Sequence, residues 1–231
     1  MPAIAENLRL VRERIAAAAT RAGRDPEGIL LLAVSKRIPA ESVNEAIRAG
    51  VRAIGENRVQ EAEAKWPALI TGPERHLVGR LQRNKAGKAV ELFDRIQSID
   101  SLRLAEAVSR RSEAIGRRTP ILLEVNISGE ASKAGVTPAV LRDLAAGVAP
   151  LPGLLLEGLM TIGPLTGDEG AIRDAFRRMR GLFEDLRDRP VPGARMEILS
   201  MGMSDDFEIA VEEGTTLVRV GTAIFGPRPP A

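Results

Sequence analysis

Ile29-Leu30-Leu31-Leu32-Ala33-Val34 is an unbroken aliphatic run of six residues, closed by Ser35-Lys36 and followed, after Pro39, by a helical segment. A strand apolar at every position is buried on both faces, as in a parallel sheet covered by helices. The same alternation repeats along the chain. Short β-rich runs fall at Val51 to Ile54, His76 to Val78, Arg95 to Ile99, Ile121 to Ile127, Leu154 to Met160, Met196 to Leu199 and Leu217 to Val220. Between them, helical periodicity covers about Arg58 to Leu69, Asn84 to Leu92 and Leu102 to Ile115, the last open to capping by Asp100 or Ser101. Further helices are entered through Thr137-Pro138, carried by Ile172, Phe176, Met179, Phe183 and Leu186, and begun near Ser204-Asp205. Ala223 to Pro230 form a last short helix and tail.

Eight βα units predict an α/β protein, a single-domain (β/α)8 TIM-type barrel over residues 1–231 with an extra N-terminal helix. That helix carries Ile4, Leu8, Val11 and Ile15 on one face and ends near Gly23. The structural rival is a doubly wound open sheet, which would have to order eight parallel strands without a dinucleotide fingerprint. No Pro-, Gly- or Ser-rich linker divides the chain.

Composition narrows the function. The chain has 231 residues, 33 Lys+Arg against 31 Asp+Glu, no Cys, no Tyr and one His. Thiol nucleophiles and Cys-ligated zinc are excluded, and one histidine argues against a His-based metal site. The longest aliphatic run is far short of the ~20 residues that cross a bilayer. Met1 to Arg14 lacks the apolar segment of a signal peptide. A cytoplasmic protein without membrane contact is expected. Arg80, Arg83, Lys85 and Lys88 cluster without interleaved aromatics, which reads as a solvated basic face or a surface for an anionic partner rather than a nucleic-acid site.

In a barrel the chemistry is expected where strands end at the C-terminal mouth. Strands seven and eight end in Ser200-Met201-Gly202 and Gly221-Thr222, small residues whose amides and hydroxyls suit a phosphate, or which simply permit tight turns. Lys36 is one of five lysines, and it closes the most apolar strand. Desolvation would disfavour its charged form and make it a nucleophile toward an aldehyde; the alternative is a lysine that snorkels to water. A strand-one lysine with a phosphate cradle across the mouth suggests an aldehyde-bearing phosphate, of which pyridoxal 5'-phosphate (PLP) is the obvious example. Arg219 shares a strand face with Leu217, and needs an acceptor: a pyridine nitrogen, or a carboxylate inside the barrel. Asn57-x-x-Gln60 reads equally as a capping box or as a ligand contact. His76 reads as a strand-start residue with no acidic partner in view.

Taken together, Ala33-Val34-Ser35-Lys36, Gly55-Glu56-Asn57-Arg58-Val59-Gln60-Glu61, His76-Leu77-Val78-Gly79-Arg80-Leu81-Gln82-Arg83-Asn84-Lys85, Gly158-Leu159-Met160, Leu199-Ser200-Met201-Gly202-Met203-Ser204 and Val218-Arg219-Val220-Gly221-Thr222-Ala223-Ile224-Phe225-Gly226 resemble the pyridoxal phosphate homeostasis proteins. That family is related to the N-terminal barrel of alanine racemases. The resemblance implies that Lys36 holds PLP as an internal aldimine, that Arg219 faces the pyridine nitrogen and that Asn57 lies near the ring. It implies phosphate binding by Ser200, Gly221 and Thr222. Ile38 stands where family members often carry a further lysine, leaving Lys133 as a second acceptor amine or a solvated loop lysine.

The resemblance favours a non-catalytic carrier of intracellular PLP (vitamin B6) that buffers the cofactor or delivers it to PLP-dependent apo-enzymes, and a monomer is expected. The alternative is a PLP-dependent amino-acid racemase. Racemases of the related type resemble a barrel joined to a second domain and use a tyrosine as second acid/base; this chain has no tyrosine and ends after strand eight. A phosphosugar-binding barrel enzyme without PLP would use the same cradle, with Lys36 condensing on a substrate carbonyl.

Overall fold

The protein is described, as a computed structural model, over residues 4–130 and 133–227. Eight parallel strands close on one another in chain order. They are β1 (Leu30–Val34), β2 (Ala53–Glu56), β3 (Glu74–Leu77), β4 (Arg95–Ile99), β5 (Thr119–Glu124), β6 (Leu154–Met160), β7 (Ala194–Ser200) and β8 (Leu217–Val220). β8 pairs with β1 through Leu30 with Leu217 to Ala33 with Val220, so no edge strand remains. The expected (β/α)8 barrel is the fold.

The helices are α1 (Ile4–Arg21), α2 (Ala40–Arg48), α3 (Val59–Lys65), α4 (Ala86–Leu92), α5 (Leu102–Ala114), α6 (Leu141–Val148), α7 (Glu169–Asp188), α8 (Phe207–Glu212) and α9 (Thr222–Phe225). α9 is only four residues long and cannot cover the seam between β8 and β1. α1 takes that place. It packs on α8, α9 and α2, buries Leu8, Val11, Ile15, Ala18 and Ala19, and sends Arg12 to the carbonyls of Ala49 and Gly50 and Arg24 to those of Val211 and Thr215. The extra N-terminal helix is therefore a member of the ring, supplying the apolar cover that the four residues of α9 do not give.

Local differences from the expected elements have physical causes. β2 runs past the expected end at Ile54 through Gly55 and Glu56, because Glu56 is buried and paired. β5 ends at Glu124, and Val125 makes only an isolated bridge to Val136. α5 has Ser101 at its N-cap position, but no side chain caps it. Thr137 precedes a 3-10 turn, Pro138–Val140, likewise without a side-chain cap, and α6 follows at Leu141. The expected tail to Pro230 passes outside the described residues.

Inside the barrel the inward positions divide. Leu30, Leu32 and Val34 of β1, Ala53, Val78, Ile198 and Leu217 form an apolar cluster on the β8–β1–β2 side. Across from it the interior is polar: Arg95 bridges Glu74 and Glu157, and His76 and Gln97 lie above, both fully buried. Every one of these polar groups has a hydrogen-bond partner, as burial requires.

Candidate functional site

The mouth of the barrel is built from the residues that follow each strand. After β1 the chain turns through Ser35, Lys36 and Arg37, closed by Ile38 N–H donating to Ser35 C=O at 3.0 Å. Arg37 has φ +61°, the left-handed region that a side chain disfavours. The turn persists because it is held from below. Lys65 Nζ donates to Ser35 C=O (2.7 Å), Glu56 Oε1 (2.6 Å) and Glu61 Oε1 (3.0 Å). Ser35 Oγ donates to Glu56 Oε1 at 2.7 Å, and Arg37 N–H donates to Glu61 Oε1. Burial raises the Glu56 carboxyl above its usual range, the Lys65 ammonium offsets part of that rise, and Oε2 has no hydrogen-bond partner among the described residues. Lys36 itself is half-buried.

Ala33 pairs with Val220, so the Lys36 turn and the Gly221-Thr222 turn are neighbours on the rim. Here Ser204 Oγ accepts from the N–H groups of both Gly221 and Ala223, each at 3.3 Å. A hydroxyl oxygen thus sits where backbone donors converge, the arrangement that also suits an anionic oxygen. Gly202 makes the approach: its φ is +92°, and a Cβ there would lie 2.5 Å from the Ala210 Cβ. Asp206 caps the loop by accepting from Met203 N–H at 2.5 Å, so α8 starts at Phe207 rather than near Ser204-Asp205 and leaves Ser204 to the turn.

Arg219 is 5% exposed. It forms no ion pair among the described residues, so the expected choice between a carboxylate and another acceptor falls on neutral partners: NH1 donates to Ser200 Oγ and NH2 to Thr161 C=O, both at 2.7 Å. Burial pushes its guanidinium down to about 10, against the pull of Asp206 and Glu124. At neutral pH it is still a cation that can only donate. Ser200, expected at a phosphate, is fully buried with its hydroxyl between Arg219 and Gln97 Oε1 (2.7 Å). Thr222 is exposed at the start of α9.

Asn57 follows β2 at the wall. The N-cap of α3 is Arg58 with no side-chain bond, so the capping box does not form. Gly79 passes so close that a Cβ on it would lie 2.3 Å from Asn57 O. Asn57 and Arg80 both line two spaces. One is a cavity of about 670 Å3 toward Glu124, Lys133 and Asp206; the other is a groove of about 1050 Å3 whose basic residues are Arg58, Arg80, Arg83, Lys85 and Arg103, against one carboxylate, Asp100. Lys88 lies apart, paired with Glu63 and Glu91. Lys133 donates to Glu130 Oε1 (2.5 Å) and Gly163 C=O (2.8 Å).

A hydrophobic-interior amine turn, converging amides and a buried donor cation agree with what comparison finds. The family model described as alanine racemase, N-terminal domain, matches residues 1–229. A Pseudomonas aeruginosa protein named pyridoxal phosphate homeostasis protein is 45% identical over 229 residues, covering 99% of this chain and 97% of its own. The Escherichia coli K12 protein of the same name is also 45% identical, covering 97% of each.

The chain belongs to the pyridoxal phosphate homeostasis protein family.

The structure of PipY from Synechococcus elongatus with PLP bound superposes with a TM-score of 0.83 at 40% identity, covering 96% of this chain and all of PipY. An alanine racemase of Clostridium difficile shares the fold, with a TM-score of 0.78 at 15% identity, and this chain spans 58% of it.

Three residues of the site escaped the sequence reading. Ser204 was absorbed into a helix start. Thr161 acts through its carbonyl, which no side-chain pattern reveals. Glu124 is 5% exposed, and its carboxyl is pushed up to about 7 by burial and by Asp100, against Arg219 and Arg80. Its signal was a carboxylate inside the apolar run Ile121-Leu122-Leu123-Glu124-Val125.

Proposed function

We propose that this protein binds PLP at the mouth of the barrel and serves intracellular PLP homeostasis, buffering the cofactor or passing it to PLP-dependent apo-enzymes in the cytoplasm, as a monomer. The observation that carries this reading is Arg219: a buried cation with two neutral acceptors, beside converging backbone amides and next to the Lys36 turn. Burying a charge is costly without a partner, and a pyridine nitrogen supplies an acceptor that is itself neutral. The donor set fits the whole ligand: an amine for the aldehyde, a donor cation for the ring nitrogen and amides for the phosphate.

In this reading Lys36 supplies the amine, and the Lys65–Glu56–Glu61 network fixes the backbone from which it projects. Gly221 and Thr222, with Ser204, bind the phosphate through N–H and O–H donors. Ser200 belongs to the site through Arg219, whose NH1 it accepts, and Asn57 borders the ring. Arg219 keeps its proton at neutral pH, so it would donate to a bound pyridine nitrogen that carries no proton of its own. Bound there, PLP supplies an aldehyde that condenses reversibly with a primary amine. An unprotonated pyridine is a weak electron sink, which suits holding the cofactor better than turning over an amino acid. The chain has no tyrosine to act as second acid/base, which weighs against racemisation.

The test is borohydride reduction of PLP-saturated protein followed by peptide mass mapping. A phosphopyridoxyl group on Lys36, absent from Lys36→Ala protein that remains folded, is the expected result. Lys36 left unmodified in saturated protein would overturn the reading and restore the phosphosugar barrel.

A further inference from the structure

The hydrogen bonds that end on Arg219 do not begin there. Ser200 Oγ accepts from Arg219 NH1, and the acceptor for its own proton among the described residues is Gln97 Oε1. With its oxygen toward Ser200, Gln97 turns its amide nitrogen toward His76 Nδ1 at 2.7 Å. An amide nitrogen can only donate, so Nδ1 accepts and the imidazole proton is on Nε2. Nε2 lies 3.2 Å from Glu74 Oε1, which accepts it, and Glu74 is held in turn by Arg95. Reversing the Gln97 amide would put two donors on Ser200 Oγ and leave the hydroxyl proton with no acceptor.

The direction of donation is therefore uniform from the mouth to the base: Arg219 to Ser200, Ser200 to Gln97, Gln97 to His76, His76 to Glu74. Ser200, Gln97 and His76 are fully buried; Arg95 NH1 also lies 3.4 Å from His76 Nε2, but with Nδ1 accepting from Gln97 the Nε2 proton goes to Glu74, and Arg95 NH1 donates to the same carboxylate instead of to the ring. We infer that Gln97 and His76 are positioning residues for Arg219, locking its guanidinium through Ser200 so that a ligand bound beside it meets a fixed donor. This rests on the reading of the site as a PLP site. The desolvated imidazole, pushed below its ordinary range by burial, stays neutral and keeps the single tautomer that the chain requires.

His76 is the one histidine of the protein, so its ring ¹⁵N resonances are unambiguous. In wild-type protein the Nε2–H neutral tautomer is expected throughout the neutral range, and PLP addition at Lys36 is expected to shift the Nδ1 resonance through Ser200 and Gln97. Gln97→Met keeps volume and removes both hydrogen bonds. It should abolish that shift, displace the absorption maximum of the bound ligand and weaken PLP binding roughly tenfold, the scale of a bond to a charged group. A wild-type His76 found as Nδ1–H or imidazolium overturns the inference. So does an adduct at Lys36 with unmoved His76 signals, or a Gln97→Met protein that matches wild type in affinity and shift. Absence of any adduct at Lys36 overturns the reading of the site and the role given to the chain together. Should Gln97→Met not fold, the wild-type tautomer and ligand shift decide alone.

Discussion

The two walls of the mouth bury polar groups in opposite ways. On the β1–β2 wall, charges are paired: Lys65 serves Glu56, Glu61 and the Ser35 carbonyl, and one oxygen of Glu56 has no partner among the described residues. On the β7–β8 wall, the single charge of Arg219 is held by neutral oxygens, in a chain whose every member is satisfied. The ionic wall holds a backbone turn in a disfavoured conformation, with Arg37 at φ +61°. The neutral wall holds a side chain whose charge must stay available. An ion pair would have satisfied Arg219 internally and left nothing to offer a ligand; neutral acceptors orient it without cancelling its charge.

Breaking the ionic wall should have the largest effect. Lys65→Met leaves the Glu56 carboxylate buried and unpaired, a change that typically costs about 3–5 kcal/mol. Urea unfolding at pH 8 should show that loss. At pH 5.5 it should be smaller, because the carboxyl, already raised by burial, takes up a proton. Lys65→Met with Glu56→Gln should recover part of the stability by removing the charge itself. A loss below about 1 kcal/mol in the single variant, at the surface-pair scale, would mean that the turn is held by something else.

Glu124, at the end of β5, tests whether the cavity beside the neutral wall is free of acid dependence. Its folded value of about 7 exceeds the ordinary carboxyl value of 4.5, so the folded state binds the proton more tightly. Stability is then greatest below the lower value and falls as pH rises to the upper one, by roughly 3 kcal/mol at most. Glu124→Gln should flatten the stability profile between pH 5 and 7.5 and leave the variant more stable than wild type at pH 8. A wild-type profile already flat over that interval would show that the carboxyl titrates normally.

The same contrast explains what could be read in the sequence. β4, β6 and β8 occupy the spans that their apolar runs marked, because each run is closed by a residue that leaves the sheet. β2 extends past Gly55 because that glycine is not a turn; a Cβ on it would lie 2.9 Å from Leu32 Cδ2, so its missing side chain makes room inside the barrel. Lys36 and Arg219 were legible because each is a charge on a strand that is otherwise apolar. The chain behind Arg219 was not, since positions 76, 97, 200 and 219 meet only when the barrel closes. One part of it lies within a single strand: Glu74 stands two residues from His76, on the same strand face, and is its acidic partner.

Ser200→Ala probes the neutral wall with the smallest expected loss. The methyl group fits the space, but Arg219 NH1 and Gln97 Oε1 each lose a partner, while Thr161 C=O keeps NH2. Hydrogen bonds to charged groups contribute about 1.5–3 kcal/mol, so a loss near 2 kcal/mol is expected. The ligand side separates two roles for this serine. If its hydroxyl acts through Arg219, inorganic phosphate should compete with PLP as well in Ser200→Ala as in wild type, whereas Ser204→Ala should weaken that competition. If Ser200 binds phosphate directly, the two variants should exchange behaviour. The first outcome means that the neutral wall divides its labour, with amides and Ser204 for the anion and the buried chain for the cation; the second means that Ser200 leaves Arg219 when the ligand arrives, and the wall is less fixed than its hydrogen bonds indicate.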